Sequence, residues 1–227
     1  MRRRRVGRAE QTLRSGKDQT GAYSIVLVSI LVSIIAAAAF GRSAWGLWFV
    51  AALQGATLLL TLRLARARPQ ARLMTFVGVT LGLLVAAGAV VLGNAQTGRA
   101  ITGTISGLLA IGAPIAIVRG VRGYMEVTGQ TVMAALSIYL LIGLFFSFAY
   151  GVMATVDAKP FFSSGTDGAP ADHVYYSYST LTTIGFGDLT AATDVGRMAS
   201  ILEGLFGQLY LVTVVAVLVA NLSFKRQ

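Results

Sequence analysis

Six runs of apolar residues, roughly 23–40, 44–62, 73–93, 101–118, 131–153 and 198–222, are separated by short polar or basic segments. Each is close to the ~20 residues that an α-helix needs to cross a hydrocarbon layer about 30 Å thick. The first five contain no charged residue, and the sixth contains one, Glu203. No run alternates with period two, so closed strands are not the spanning solution. The pattern predicts an all-α integral membrane protein with six transmembrane helices.

The segment between the last two runs has a different texture. Residues 154–171 are rich in Gly, Ser, Pro and Ala and read as irregular loop. Asp172 then reads as a helix N-cap, opening a helix over 172–182 that is too short to span. TTIGFGD follows, before a polar stretch and the last run. A short helix that enters a membrane and returns as non-helical backbone is a re-entrant loop. Its bare carbonyls are tolerated only where they are buried in protein or line a water-filled path. Gly185 and Gly187 suit that demand, because glycine takes the left-handed conformations that let successive carbonyls point one way. Such a stack, with threonine hydroxyls, can replace the water shell of a dehydrated cation.

Composition agrees with the pattern. Hydrophobic residues make up 55% of the 227 and charged residues only 12%, a membrane balance rather than a soluble one. The net charge of +10 does not point to nucleic acid, because the basic residues lie in clusters between the apolar runs. Arg2 to Arg5, Arg8, Arg14, Lys17, Arg63, Arg66, Arg68, Arg72, Arg119, Arg122, Lys225 and Arg226 fall on one side, and only Arg42, Arg99, Lys159 and Arg197 on the other. By the positive-inside rule both termini are cytoplasmic, in a multi-pass protein of the cell membrane. The N-terminal arginines offer anionic lipid a surface. With no cysteine and one histidine, disulfides, zinc sites and thiol catalysis are excluded, and no cluster suggests an enzyme.

TTIGFGD resembles the potassium-channel signature, Ile184 and Phe186 standing where Val and Tyr are usual. Both variants occur in two-pore-domain potassium channels. Tyr175 and Tyr176 resemble the aromatic pair on the pore helix of bacterial two-helix potassium channels. Gly196-Arg197 resembles the start of their inner helix, and Gly207 stands where their hinge glycine would. The resemblance, to the potassium channel pore-loop superfamily, covers about residues 130–227.

The apolar runs and basic clusters divide the chain into a basic cytoplasmic segment over residues 1–22, a four-helix membrane domain without sensor charges over 23–118 and a cytoplasmic linker over 119–130, and the resemblance makes residues 131–227 a pore domain. Within the pore domain the resemblance implies an outer helix over 131–153, an extracellular loop over 154–171, a pore helix over 172–182, a filter over 183–188 and an inner helix over 198–222. Thr183, Ile184, Gly185 and Phe186 would coordinate potassium ions, with no organic cofactor. Thr182, Gly187, Asp188, Ser179, Tyr176 and Glu203 would support the filter. Four copies must surround an ion, so a homotetramer is implied. Ser179 departs from the pattern, standing where several bacterial channels carry a carboxylate paired with the filter Asp. Ala191 replaces a proline common after the filter.

Other expectations come from the residues themselves. Gly204 and Gly207 lie one turn apart on the last run. Each costs about 1 kcal/mol relative to alanine in a helix interior, so they mark either a gating hinge or close packing against the fifth helix. On a hinge reading Gln208, Leu211, Val215 and Val219 line the inner path. Glu203 pairs with Arg197 or receives hydrogen bonds behind the filter. His173 is a candidate sensor of external pH, or else a capping or solvated residue. Six helices with one late pore loop have the layout of voltage-gated channels, but residues 101–118 contain no Arg or Lys. Steep gating needs several such charges per subunit, so weak voltage dependence or none is expected. The four leading helices read as a shielding or regulatory collar. A less selective cation channel and a secondary transporter are the alternatives. The transporter lacks the paired broken helices of an inverted repeat.

Overall fold

The computed structural model describes residues 22–40, 44–64, 69–92, 95–121 and 129–223. The N-terminal basic segment up to residue 21, most of the linker after residue 121 and the tail basic residues Lys225 and Arg226 lie outside the described residues. The described chain is all-helical: α1 (Ala22–Phe40), α2 (Ala44–Leu64), α3 (Pro69–Val91), α4 (Ala95–Val121), α5 (Gly129–Val156), α6 (Pro170–Leu181) and α7 (Asp194–Ser223). Six of these coincide with the six apolar runs, and α6 is the short helix between the last two. In α4, α5 and α7 the apolar stretch is long enough to cross a membrane, while Tyr23–Ala37, Phe49–Arg63 and Arg72–Gly82 are shorter apolar stretches.

Long apolar helices satisfy their own backbone, and their few buried hydroxyls are satisfied the same way. Ser33 donates to the Ser29 carbonyl at 2.8 Å, Thr61 to Thr57 at 2.7 Å and Ser137 to Met133 at 2.8 Å, each one turn back. Helix α4 packs against α2, α3 and α5, and α1 packs against α2, α5 and α6. One buried cluster joins Val26, Ile30, Leu58, Leu109, Ile117 and Leu144 across these helices. Gly82 lets α3 approach α4, since a Cβ there would meet the Ile105 side chain at 2.4 Å. Helix α7 packs on α5 and α6. The four leading helices therefore reach the C-terminal unit directly: Ala36, Ala37 and Val50 are buried together with Val174 of α6.

The boundaries around α6 differ from those expected. The N-cap is Ala169, not Asp172. Pro170 takes the first helical position, where its missing N–H is no loss. Asp172 sits at the third, and its carboxylate accepts the Ala169 N–H at 2.6 Å. Helix α7 begins at Asp194 rather than 198, because Thr193 Oγ1 accepts the Gly196 N–H at 3.2 Å and caps the extra turn. The loop between α5 and α6 is irregular but pinned. Phe161 and Phe162 are buried at its centre, Phe162 forms an antiparallel bridge with Ala191, and Ala192 N–H donates to the Phe161 carbonyl at 2.8 Å.

Candidate functional site

The site is the turn that follows α6. Thr182 ends the helix by returning its hydroxyl to the Tyr178 carbonyl at 2.6 Å. Thr183 N–H donates to Thr180 O at 3.0 Å. Thr183 then turns left-handed, at φ 58°, and is the only described residue other than glycine to do so. For a β-branched side chain that conformation is strained by about 1–3 kcal/mol. Gly185 and Gly187 are also left-handed, at φ 58° and 80°. This is the alternation for which the glycines were singled out, and a side chain at either position would be strained.

Ser179 holds the turn to α6. Its carbonyl accepts the N–H groups of Ile184 and Gly185, at 3.0 and 3.1 Å. Its hydroxyl accepts the Phe186 N–H at 3.4 Å. The neutral residue thus secures the backbone of the turn and does not touch Asp188 in the described bonds. Asp188 instead accepts the Tyr175 hydroxyl at 3.0 Å, and Phe186 stacks on the Tyr175 ring, centroids 5.7 Å apart and planes 10° apart. The support expected from Tyr176 comes from its neighbour. Residues 175 and 176 lie about 100° apart around a helix, so only one of them faces the turn. Tyr176 is buried on another face, against Tyr150, Phe161 and Phe162, with its hydroxyl 2.7 Å from Ser200 Oγ. Ile184, Phe186 and Asp188 are exposed in the single chain.

Helix α7 lies behind this unit. Gly207 abuts the end of α6: a Cβ there would come within 2.6 Å of the Leu181 carbonyl oxygen and 2.8 Å of its side chain. The close contact of Gly207 is thus with α6, not with the fifth long helix. Gly204 is looser, 4.0 Å from the Thr180 carbonyl on the same measure. Gln208 Nε2 donates to Thr183 Oγ1 at 3.2 Å, so Gln208 reaches the turn itself. Leu211 is half-buried and Val215 exposed. The Val219 side chain lies outside the described residues.

Glu203 is fully buried. Arg197 is not its partner; the Arg197 Nε–H donates to the Ala191 carbonyl at 3.1 Å. Glu203 Oε2 accepts the Tyr150 hydroxyl at 2.6 Å. Its Oε1 makes a short contact with Ser177 Oγ, which also lies 2.7 Å from the Gly143 carbonyl oxygen. The carboxyl group therefore joins α5, α6 and α7. Tyr150 and Ser177 were not singled out from sequence, where they are a tyrosine in an apolar run and one of three serines and threonines on a short helix. Only their distance in the chain from Glu203, 53 and 26 residues, separates them from it on paper.

His173 is buried between Phe162, stacked at 5.6 Å, and Phe161, edge-on at 5.8 Å. It neither caps the helix nor meets solvent. Its Nε2 has no hydrogen-bond partner. Burial lowers its pKa below the ordinary value, against the opposing pull of Asp167 and Asp172.

Residues 134–223 match a family model described as an ion channel. No curated protein and no solved structure matches the chain. The match takes in α6, the turn after it and nearly all of the two long helices that flank them, and it supports an ion-channel pore in the C-terminal part of a membrane protein.

Proposed function

We propose that the chain is one subunit of a homotetrameric potassium-selective channel of the cell membrane, conducting passively and without steep voltage gating. One observation carries this reading. After a short helix, the backbone of TIGFGD turns left-handed at both glycines while Ser179 takes up the N–H groups of residues 184 to 186. With its N–H groups engaged on the helix side, such a turn has its carbonyls left for a cation. Thr183, Ile184, Gly185 and Phe186 are the coordinating residues on this reading, and potassium is the cargo.

One chain supplies one strand of such a filter, and four strands are needed around an ion. The surface of α7 fits that need: Leu205, Phe206, Leu209 and Val212 are all more than half exposed, and lipid or further copies must cover them. On this reading all six apolar runs span, and the Lys and Arg distribution puts both termini in the cytoplasm, with the N-terminal arginines against anionic lipid. Residues 101–118 carry no charge for a membrane potential to move.

Potassium flux into liposomes holding the purified protein tests the reading, with sodium and rubidium as competitors and barium as blocker. Barium-sensitive uptake favouring potassium and rubidium over sodium is expected. Equal uptake of sodium would overturn selectivity, and a steep sigmoidal conductance–voltage curve would overturn the gating assignment. A less selective cation pore is the second reading, favoured by the strained left-handed Thr183 at the innermost filter position.

A further inference from the structure

We propose that Glu203 acts as a neutral carboxylic acid that donates its proton to Ser177, and that this bond is what positions the pore helix behind the filter; the positioning role rests on the channel reading above. The argument is a count of hydrogens. Ser177 Oγ lies 2.7 Å from the Gly143 carbonyl oxygen and in short contact with Glu203 Oε1. A hydroxyl has one hydrogen and cannot serve two acceptors. The Gly143 carbonyl can only accept, so the Ser177 hydrogen belongs there. A bare carboxylate oxygen would then face a hydroxyl lone pair at bonding distance with nothing between them. One proton on Oε1 removes the conflict.

The neighbouring hydroxyls leave no alternative source. Ser200 donates to the Gly196 carbonyl at 2.8 Å, so the 2.7 Å contact between Ser200 and Tyr176 takes its hydrogen from Tyr176. The Tyr150 hydrogen goes to Glu203 Oε2 at 2.6 Å; its other contact, to Ser200, is 3.5 Å long. With Glu203 protonated, every hydroxyl in the cluster donates once, and the two chains of bonds end on the carbonyls of Gly143 and Gly196. No Lys or Arg among the described residues meets Glu203; Arg197 is engaged with Ala191. There is thus no cation to compensate a charge there.

The consequence is mechanical. Ser177 lies two residues before Ser179 on α6, and Ser179 holds the filter backbone. Through Ser177, Glu203 ties that stretch of α6 to α7, and through Gly143 and Tyr150 to α5. The approach on the α5 side is close, since a Cβ at Gly143 would meet the Tyr178 ring at 2.7 Å. The clamp sets how far the pore helix stands from the other two.

Infrared difference spectroscopy of the purified full-length protein at neutral pH, wild type against Glu203→Gln, tests the proton directly. A carboxylic-acid C=O band lost in the variant is expected. Loss of a carboxylate band pair instead would overturn the proposal. In Ser177→Ala, which keeps Glu203, the acid loses its acceptor and the band must move to higher frequency; an unmoved band would also overturn it. Glu203→Gln retains an N–H donor toward Ser177 and an acceptor for Tyr150. It should keep the rubidium-over-sodium preference in liposome flux within about twofold, whereas Glu203→Ala should lose about tenfold, the scale of one unsatisfied buried group. Equal losses in the two variants would overturn the positioning role. The infrared arms need no conduction. A protein that passes them without transporting ions would refute the channel reading and leave the proton assignment standing.

Discussion

Gly207 lies against the last carbonyl of α6, so close that a Cβ on it would stand 2.6 Å from the Leu181 oxygen. Backbone occupies the space along with the Leu181 side chain, and the backbone cannot yield as a side chain does, so a methyl group there must push α6 and α7 apart. A packing need of this kind explains a glycine in a helix interior without any bending. Gly207→Ala is expected to lower stability by about 1–3 kcal/mol, the usual range for overpacking. Gly204→Ala, with 4.0 Å to the Thr180 carbonyl, should be neutral or slightly stabilising. Thermal unfolding of both variants checks the pair, and equal effects would remove the packing explanation. A hinge makes a separate demand: single-channel open probability unchanged in Gly207→Ala would dismiss it.

On the channel reading Ser179 holds the filter by two kinds of bond, and they can be separated. Its carbonyl bonds to Ile184 and Gly185 survive Ser179→Ala, and only the 3.4 Å bond from the Phe186 N–H is lost. That bond is long, so its loss should cost no more than about 0.5–1.5 kcal/mol. The expected phenotype is a retained preference for potassium over sodium with a faster decay of current, as the outer filter loosens. Tyr175→Phe, which frees Asp188 while keeping the ring over Phe186, should act in the same direction. Collapse of selectivity in Ser179→Ala would mean that the hydroxyl does more than this geometry requires.

The parts legible in the sequence were those in which one residue type meets one physical demand. Apolar runs of 18 to 25 residues gave the long helices, because a backbone in hydrocarbon must satisfy itself. Gly185 and Gly187 announced left-handed backbone. What was misread depended on facing. Asp172 reads as a cap, although Pro170, two residues earlier, is the stronger sign of a first turn. Tyr175 and Tyr176 are adjacent in sequence, and nothing in the sequence says which ring turns toward Phe186. The partners of Glu203 come from two other helices. The sequence offers Arg197, six residues earlier, as a counter-charge, but that side chain turns to the Ala191 carbonyl, and the engagement with Ser177 and Tyr150 is not visible in it.

Gln208 connects the last helix to Thr183, the innermost coordinating residue on the channel reading. Its Nε2–H donates to Thr183 Oγ1 at 3.2 Å and so occupies one lone pair of a hydroxyl that, on the channel reading, also faces the ion. Gln208→Leu removes the donor and leaves the helix intact. The change at that site is one neutral hydrogen bond, about 0.5–1.5 kcal/mol. A shift of roughly three- to tenfold in the barium concentration for half-block is expected, with selectivity unchanged. Block identical to wild type would separate Gln208 from the ion path.

His173 should make stability, rather than gating, depend on acid pH. Its ring is stacked on Phe162 and edge-on to Phe161, the residues buried at the centre of the loop before α6, and its Nε2 has no partner to receive a new proton's bond. Burial therefore lowers its pKa below the ordinary 6.5, and Asp167 and Asp172 only partly oppose this. The sign follows from proton uptake. The unfolded chain binds a proton near pH 6.5, while the native state resists until a lower pH. Stability is thus complete above about pH 6.5 and declines as the pH falls toward the native value, by about 1.4 kcal/mol for each pH unit between the two. Thermal midpoints measured from pH 8 to pH 5 should be flat at first and then drop. In His173→Phe, which keeps a ring against both phenylalanines, this part of the drop should vanish. A drop of the same size in both proteins would assign the titration to another group, and a rise in wild-type stability on acidification would mean that His173 gains a proton with a partner ready for it.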